Sequence, residues 1–308
     1  MEENLVQDAS DTPLQQEEGM PHEALFLVLS YLPLYELLVM AQVCRSVKEV
    51  LTNDILPWLN MVVGKPLNKR FNDVHLLKIT SKADGRLKTL ALLNCSKITD
   101  EGLHQVIARN PYITRLWLPA CTSLSTSGVI EAVKLLTKNK HKLKSLRING
   151  IYNLKKEDLE ILHCLIDDEN HPWQKKGLNF YHEYKEFSTF KHSNPPIDVE
   201  ICPKCKEARV VFDCPRDSCK SMRQQQKLEC RGCQHCIPRC EECGICIKDE
   251  DPVEAACVDA LCLGCWLQLP KCSFCNKPYC SQHADQKCSL VGSSGFVCID
   301  CHARFIEN

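Results

Sequence analysis

Nineteen of the chain's twenty-three cysteines lie between Cys202 and Cys301. Most come as pairs two residues apart: Cys202 with Cys205, Cys230 with Cys233, Cys240 with Cys243, Cys262 with Cys265, Cys272 with Cys275 and Cys298 with Cys301. Cys280 and His283 form a mixed pair at the same spacing, and Cys214 with Cys219 a looser one. Two thiolates on such a knuckle can grip one face of a tetrahedral ion, so the pattern reads as a zinc-ligand framework.

A disulfide scaffold would need an oxidising compartment and hence a secretory signal. Residues Met1 to Gly19 are polar and acid-rich, without the basic start and apolar run of a signal peptide. The apolar run Ala24 to Leu29 is far short of the roughly 20 residues that span a bilayer. The expectation is therefore a soluble protein of the nucleus or cytoplasm, with its thiols reduced and available to metal and no membrane partner.

Which pairs share an ion is partly suggested by their order. The last eight ligands fit an interleaved scheme, with Cys262, Cys265, Cys280 and His283 on one ion and Cys272, Cys275, Cys298 and Cys301 on another, the cross-brace order of RING-like and treble-clef modules. Upstream, Cys202, Cys205, Cys214, Cys219, Cys230, Cys233, Cys240, Cys243, Cys246 and Cys257, together with Cys236, leave room for two further sites whose connectivity the sequence leaves open. Cys236 and Cys288 read as the weakest ligands, and His235 and His302 as bystanders. The expected content is about four zinc ions, with roughly three to five allowed.

Charge and donor type narrow what such a module does. Between Glu200 and Asn308 there are 14 Lys and Arg against 15 Asp and Glu, and each four-thiolate zinc site adds net negative charge, so a nucleic-acid backbone is not the expected partner. Catalytic zinc keeps an open position, whereas thiolate-rich sites are closed. Gly292-Ser293-Ser294-Gly295 lacks the Lys-Ser/Thr of a phosphate loop and reads as a turn.

Composition shifts divide the chain. Residues 1–19 read as a disordered tail, 20–57 as a compact helical trio, 58–170 as a repeat array, 171–198 as an aromatic and basic connector ending in Pro195-Pro196, and 199–308 as the cysteine-rich zinc-binding domain. In the trio, leucines 25, 29 and 32 line one helical stripe that Pro33 ends; Leu34 to Cys44 and Arg45 to Leu51 supply two more amphipathic segments. So small a unit usually needs a partner.

Those residues resemble the F-box. Pro21, Glu23, Leu25, Leu29, Leu32, Pro33, Leu37, Leu38, Val43, Cys44 and Arg45 fall on its pattern, with Met20 in place of its leading leucine and Val47 where an aromatic often stands. The resemblance implies a surface for a Skp-type adaptor drawn from Pro21, Glu23, Leu25, Leu29, Leu32, Pro33, Leu37, Val43 and Arg45, with Pro21, Leu25 and Leu32 on its apolar face.

Beyond the trio the chain repeats itself. Leu87-x-x-Leu90-x-Leu92-x-x-Cys95, Ile113-x-x-Leu116-x-Leu118-x-x-Cys121 and Leu143-x-x-Leu146-x-Ile148-x-x-Ile151 recur at the period of leucine-rich repeats. The pattern predicts a strand and a helix per unit, with helices over Asp100 to Arg109, Ser127 to Lys138 and Lys155 to Ile166, and an atypical capping unit from Trp58 to Ile79. Cys44, Cys95, Cys121 and Cys164 read as buried packing cysteines, not ligands. Tyr181 and Tyr184, in the aromatic connector, are expected to be exposed and to extend a concave substrate-binding face.

The predicted fold is thus multi-domain: a three-helix F-box joined to a short α/β leucine-rich-repeat array, then a multi-zinc domain with little regular structure. This combination resembles plant F-box proteins of the Skp-interacting-partner group. The resemblance implies a non-catalytic substrate receptor of an SCF ubiquitin ligase, bound through the Skp adaptor to a cullin and holding a protein substrate that the sequence does not name. The alternatives are a RING-like ligase, which the missing Cys-x-His step disfavours, and a zinc scaffold or transcription-related factor.

Overall fold

The computed structural model describes residues 23–138, 142–166, 178–182, 196–225, 230–247, 253–289 and 295–305. Three short helices open it: α1 (Glu23–Leu29), α2 (Leu34–Met40) and α3 (Arg45–Asn53). Pro33, whose ring cannot continue α1, sits in extended geometry at the start of α2 and accepts the Leu37 amide at 3.0 Å. Leu29, Leu34, Leu37, Val47 and Leu51 turn inward, and Trp58 closes the trio, donating its indole N–H to the Leu51 carbonyl at 3.1 Å.

Four strand-helix units follow. Strands β1 (Asn60–Val63), β2 (Thr89–Leu92), β3 (Arg115–Trp117) and β4 (Ser145–Arg147) form one parallel sheet in that order. Their partners run in strict register, Met61 to Leu90 to Leu116 to Leu146, so one row of apolar side chains is buried under the helices. Those helices are α4 (Asp73–Thr80), α5 (Asp100–Arg109), α6 (Thr126–Thr137) and α7 (Lys156–Ile166). Each crossover carries one α-helix, and successive helices pack side by side, as parallel pairing demands of the connections. Among the described residues no helix is long and apolar enough to cross a membrane.

Left-handed residues mark the turn after β2, β3 and β4. Asn94 (φ 56°), Ala120 (φ 53°) and Gly150 (φ 85°) occupy equivalent positions, just before Cys95, Cys121 and Ile151. Both cysteines are fully buried, and the Cys121 thiol lies 3.1 Å from the Leu92 carbonyl of the preceding unit. Cys44 is half-buried and Cys164 exposed on α7, so burial holds for the two repeat cysteines and fails for Cys164.

A carboxylate ladder ties the units together. Asp73, first residue of α4, accepts the Thr99 amide (3.0 Å) and hydroxyl (2.7 Å) at the cap of α5. Asp100, first residue of α5, does the same for Ser125 (3.0 and 2.6 Å) at the cap of α6. Thr99 and Ser125 in turn accept the Gly102 and Gly128 amides, so each cap is held by the helix before it. A side chain at either glycine would overlap the neighbouring aspartate.

The boundary placed near residue 199 is not where the core ends. Ile197, Val199, Val210, Phe212 and Tyr181 belong to the same apolar cluster as Leu29 and Leu146. The cause is continued strand pairing: Leu146 donates its amide to the Pro196 carbonyl (2.7 Å) and accepts that of Asp198 (3.2 Å), while Asp198 Oδ1 takes the Ile148 amide at 2.8 Å. Hence the cysteine-rich region is grafted onto the open edge of the sheet.

The ladder makes a testable sign reversal. Gly128→Ala should destabilise the protein by about 1–2 kcal/mol by displacing Asp100 from its two hydrogen bonds. In an Asp100→Ala background the same change should stabilise by up to about 1 kcal/mol, since only helix propensity remains. Denaturant melts of the four proteins measure this; additive effects would show that the ladder does not hold the caps.

Candidate metal centre and helical docking face

Three knuckles share one geometry. After the second cysteine of each pair comes a left-handed residue, Lys206 (φ 64°), Gly244 (φ 72°) and Asn276 (φ 56°). Its amide returns to the carbonyl of the first cysteine, Cys202, Cys240 or Cys272, at 2.9, 2.9 and 3.0 Å. The first cysteine's own amide then meets the carbonyl two residues past the second, Glu207, Ile245 and Lys277. This tight turn points both thiols the same way, and Gly and Asn adopt it at low cost.

The second half of a site often comes from a helix start. Cys262 caps the helix Leu263–Gln268, its Sγ accepting the Cys265 amide at 3.5 Å. Cys298 precedes the helix Ile299–Phe305 and accepts the Cys301 amide at 3.4 Å. Amide dipoles at a helix start favour the thiolate.

These elements assemble five groups whose ligand atoms lie within 4.8 Å of one another. Four are all-cysteine: Cys202, Cys205, Cys233, Cys236; Cys214, Cys219, Cys230, Cys246; Cys240, Cys243, Cys262, Cys265; and Cys272, Cys275, Cys298, Cys301. The fifth is Cys257, Asp259, Cys280 and His283. Sulfur separations of 3.9 Å (Cys205 to Cys233), 3.8 Å (Cys243 to Cys262) and 3.7 Å (Cys275 to Cys298) match the roughly 3.8 Å edge of a tetrahedron with zinc–sulfur bonds of about 2.3 Å. They are far from a disulfide bond of about 2.05 Å, and every cysteine is free. The residues present therefore fit zinc.

Several sequence expectations change. The pairing of Cys272, Cys275, Cys298 and Cys301 is as expected. Cys262 and Cys265, however, join Cys240 and Cys243 and not Cys280 and His283, because the Glu241 amide binds the Ala260 carbonyl (3.0 Å) and draws the two pairs together. Cys236, read as a weak ligand, completes the first group; Asp259, not singled out at all, completes the fifth. Cys288 belongs to none of the groups found among the described residues. The five groups stand one above the central expectation of four ions and at the top of its range.

Neighbouring amides and thiols lower one thiol in each all-cysteine group. Cys202 and Cys272 accept the Cys233 (3.4 Å) and Cys298 (3.3 Å) amides; although burial opposes ionisation, neighbouring amides bring both thiols down to about 6. Cys214, beside Cys230, is held at about 4, and Cys240, beside Cys243, also at about 4. Burial instead raises Cys95 to about 12 and Cys121 to about 11. Each all-cysteine group thus holds one thiol poised as thiolate, while burial and neighbouring thiols push others of the groups, such as Cys236, Cys265 and Cys301, up to about 12.

A buried polar network braces the first two groups. Asp213, 2% exposed, accepts from Arg231 at 2.6 Å, and Arg231 also holds Glu200. The likewise buried Arg239 donates to the Phe212 (2.8 Å) and Cys230 (2.9 Å) carbonyls.

Of the connector aromatics, Tyr181 is buried rather than exposed. Its ring meets Phe212 edge-on at 5.1 Å and its hydroxyl donates to Glu241 at 2.7 Å. Tyr184 lies outside the described residues. The strand face opposite the helices is also covered: Val62, Ala91 and Trp117 form a buried cluster, with the Arg147 guanidinium 4.1 Å from the Trp117 ring centre. That concave face is not the open substrate surface the sequence suggested.

At the other end, α1 to α3 present an apolar surface. Leu27, Val28, Tyr31, Tyr35, Val39 and Val43 are exposed, with Leu25, Leu32 and Pro33 half-buried at its margin. Leu29 and Leu37, expected on the docking face, are instead in the core of the trio at 0% and 2% exposure; the helical stripe that reads as most conspicuously leucine-rich is the one the trio uses for itself. Arg45 is exposed, whereas Pro21 and the Glu23 side chain lie outside the described residues.

Metal removal has a definite structural consequence. Chelation should deprotect the amides of residues 200–305 and, through the Pro196 bond, that of Leu146, while the Leu90 and Leu116 amides stay protected. Hydrogen exchange checks this; a cysteine-rich region equally protected without metal would contradict the zinc assignment.

Comparison with known proteins places the whole. Residues 18–62 match the F-box-like family, and residues 198–274 the family described as At3g27290 F-box protein C-terminal domain. The chain is 38% identical over 307 residues to F-box protein SKIP28 of Arabidopsis thaliana, covering 95% of both chains. It is 31% identical over 258 residues to F-box protein SKIP14 of the same plant, covering 83% of this chain and 56% of that one. Against the Arabidopsis F-box protein At3g27290 the identity is 37% over 234 residues, covering 74% of this chain and 61% of that one. The chain that carries these knuckles and this exposed helical trio belongs to the family of plant F-box proteins.

Proposed function

We propose that this protein is the substrate-recognition subunit of an SCF-type ubiquitin ligase and is not itself catalytic. The observation that carries the reading is the exposed apolar face of α1 to α3 in the segment that matches the F-box-like family. Large side chains such as Leu27 (66% exposed), Tyr31 (62%) and Val43 (65%) stand out on a unit of only three short helices, and so many exposed apolar side chains on so small a unit support an interaction site there. Its partner would be a Skp-type adaptor, and through it a cullin.

The strand-helix units would serve as a leucine-rich-repeat spacer, fixing the distance between adaptor and substrate. With the concave strand face covered, the zinc domain is the better placed to hold substrate: Leu263 and Leu267, one turn apart on a helix, and Phe274 and Ile299 are exposed there. Closed all-cysteine sites support a structural role for the metal. Catalysis of transfer would belong to other subunits, with this chain contributing proximity. The site of action would be the nucleus, the cytoplasm or both.

Adaptor binding separates surface from core. Leu27→Asp with Tyr31→Asp should weaken adaptor binding by about 2 kcal/mol or more, roughly 30-fold, in a titration with purified Skp adaptor, without changing the melting of the protein. Leu29→Asp should instead unfold the trio, because it buries an unpaired charge. Unchanged affinity in the first variant would overturn the docking face.

A further inference from the structure

The fifth group differs from the others in chemistry and in position. Two sulfurs, one imidazole nitrogen and one carboxylate oxygen converge: His283 Nδ1 lies 2.9 Å from Asp259 Oδ2 and 3.2 Å from Cys280 Sγ, and Cys257 Sγ accepts the Cys280 amide at 3.5 Å. A carboxylate is a harder donor than a thiolate and holds zinc less firmly. Asp259 and His283 are also the open side of the group, with side chains 28% and 37% exposed, while Cys280 is fully buried.

Position gives this group reach. Asp259 is both a member of the set and part of the wall of a cavity of about 310 Å³ between the last repeat and the zinc domain, shared with Asn149, Tyr181, Arg209, His235 and Glu241. Adjacent acidic residues on one knuckle link the two places. Glu242 accepts both the amide and the hydroxyl of Ser281, next to Cys280, the latter at 2.7 Å. Glu241 accepts the Tyr181 hydroxyl at 2.7 Å, and its amide holds Ala260, next to Asp259, at 3.0 Å. Displacing the 257–260 or 280–283 segment therefore pulls on the knuckle that positions Tyr181.

We propose that Cys257, Asp259, Cys280 and His283 form an exchangeable zinc site, distinct from four retained all-cysteine sites, whose occupancy sets the shape of the cavity beside Tyr181. The proposal rests on the zinc reading of the domain and adds to it a division of labour. Four ions hold the fold, and one open, mixed-donor site reports free zinc to the junction between repeats and zinc domain.

Native mass spectrometry of the full chain during graded chelation tests both halves. Five zinc ions are expected, the first leaving at least about tenfold faster than the rest. Asp259→Ala should carry four. Asp259→His, which replaces the carboxylate with a softer donor, should carry five and slow the first loss. Hydrogen exchange at the four-zinc stage should show faster exchange at residues 240–243 and 180–182, with 202–205 and 272–275 unchanged. A chain with four zinc ions whose number is untouched by Asp259→Ala would overturn the site while leaving the all-cysteine reading intact. Five ions leaving together would overturn its exchangeability, and an unchanged 180–182 at four zinc ions would overturn its link to the cavity. No zinc at all would instead remove the metal reading on which the proposal rests.

Discussion

The convergence of cysteine pairs, three of them set by one tight backbone turn, dominates the described residues C-terminal to the strand-helix units. Among the described residues of the cysteine-rich region the largest apolar cluster has thirteen buried members, and seven of them, Cys240, Cys257, Cys262, Cys272, Cys280, Cys298 and Cys301, are also members of the candidate ligand groups. The remaining apolar residues, such as Leu261, Tyr279, Phe296 and Val297, are too few to offset the entropy of ordering so long a segment. What replaces them is sulfur held by a turn: amide bonds close the knuckles, and a metal ion would give four converging thiolates a reason to stay together.

Because the five groups overlap along the chain, none is an independent finger. Cys214 falls between the two halves of the first group, Cys240 and Cys243 between Cys230 and Cys246, Cys257 between the halves of the third, and Cys272 and Cys275 between those of the fifth. Each site is thereby threaded through the next, and the domain behaves as a chain of linked clamps. Its first clamp is fastened to the repeats by the pairing of residues 196–198 with Leu146 and by Tyr181 packed on Phe212. Such continuity from the helical trio into the knuckles would suit the proposed role, in which the chain holds a second molecule at a fixed place relative to a first.

The sequence disclosed what has a period. Register leucines such as Leu90, Leu116 and Leu146 announced the strands, and the helix expected over Asp100 to Arg109 is the one formed, since its Thr99 cap and apolar spacing are both local. Cysteine pairs announced candidate metal ligands for the same reason. What it concealed depends on contacts between distant segments. The partnership of Cys240 and Cys243 with Cys262 and Cys265 follows from a single strand-like bond at Ala260, and Asp259 becomes a ligand candidate only because that bond carries it to Cys280. Leu29 and Leu37 were read outward from a motif, though burial sends them inward. Tyr181 looked available because its neighbours are aromatic and basic, yet Glu241, sixty residues on, gives its hydroxyl a partner. One signal was overlooked: a residue tolerant of the left-handed region after two of the three knuckles, Gly244 and Asn276, which marks the turn itself.

The claim that sulfur-held zinc stands in for a hydrophobic core is most directly tested by X-ray absorption at the zinc edge on the purified full chain. The five groups offer eighteen sulfurs among twenty ligand atoms, so the account expects a first shell of about 3.6 sulfurs and 0.4 nitrogen or oxygen per zinc, with sulfur at about 2.3 Å. A shell dominated by nitrogen and oxygen, or protein that holds its cysteines as disulfides under reducing conditions, would contradict it.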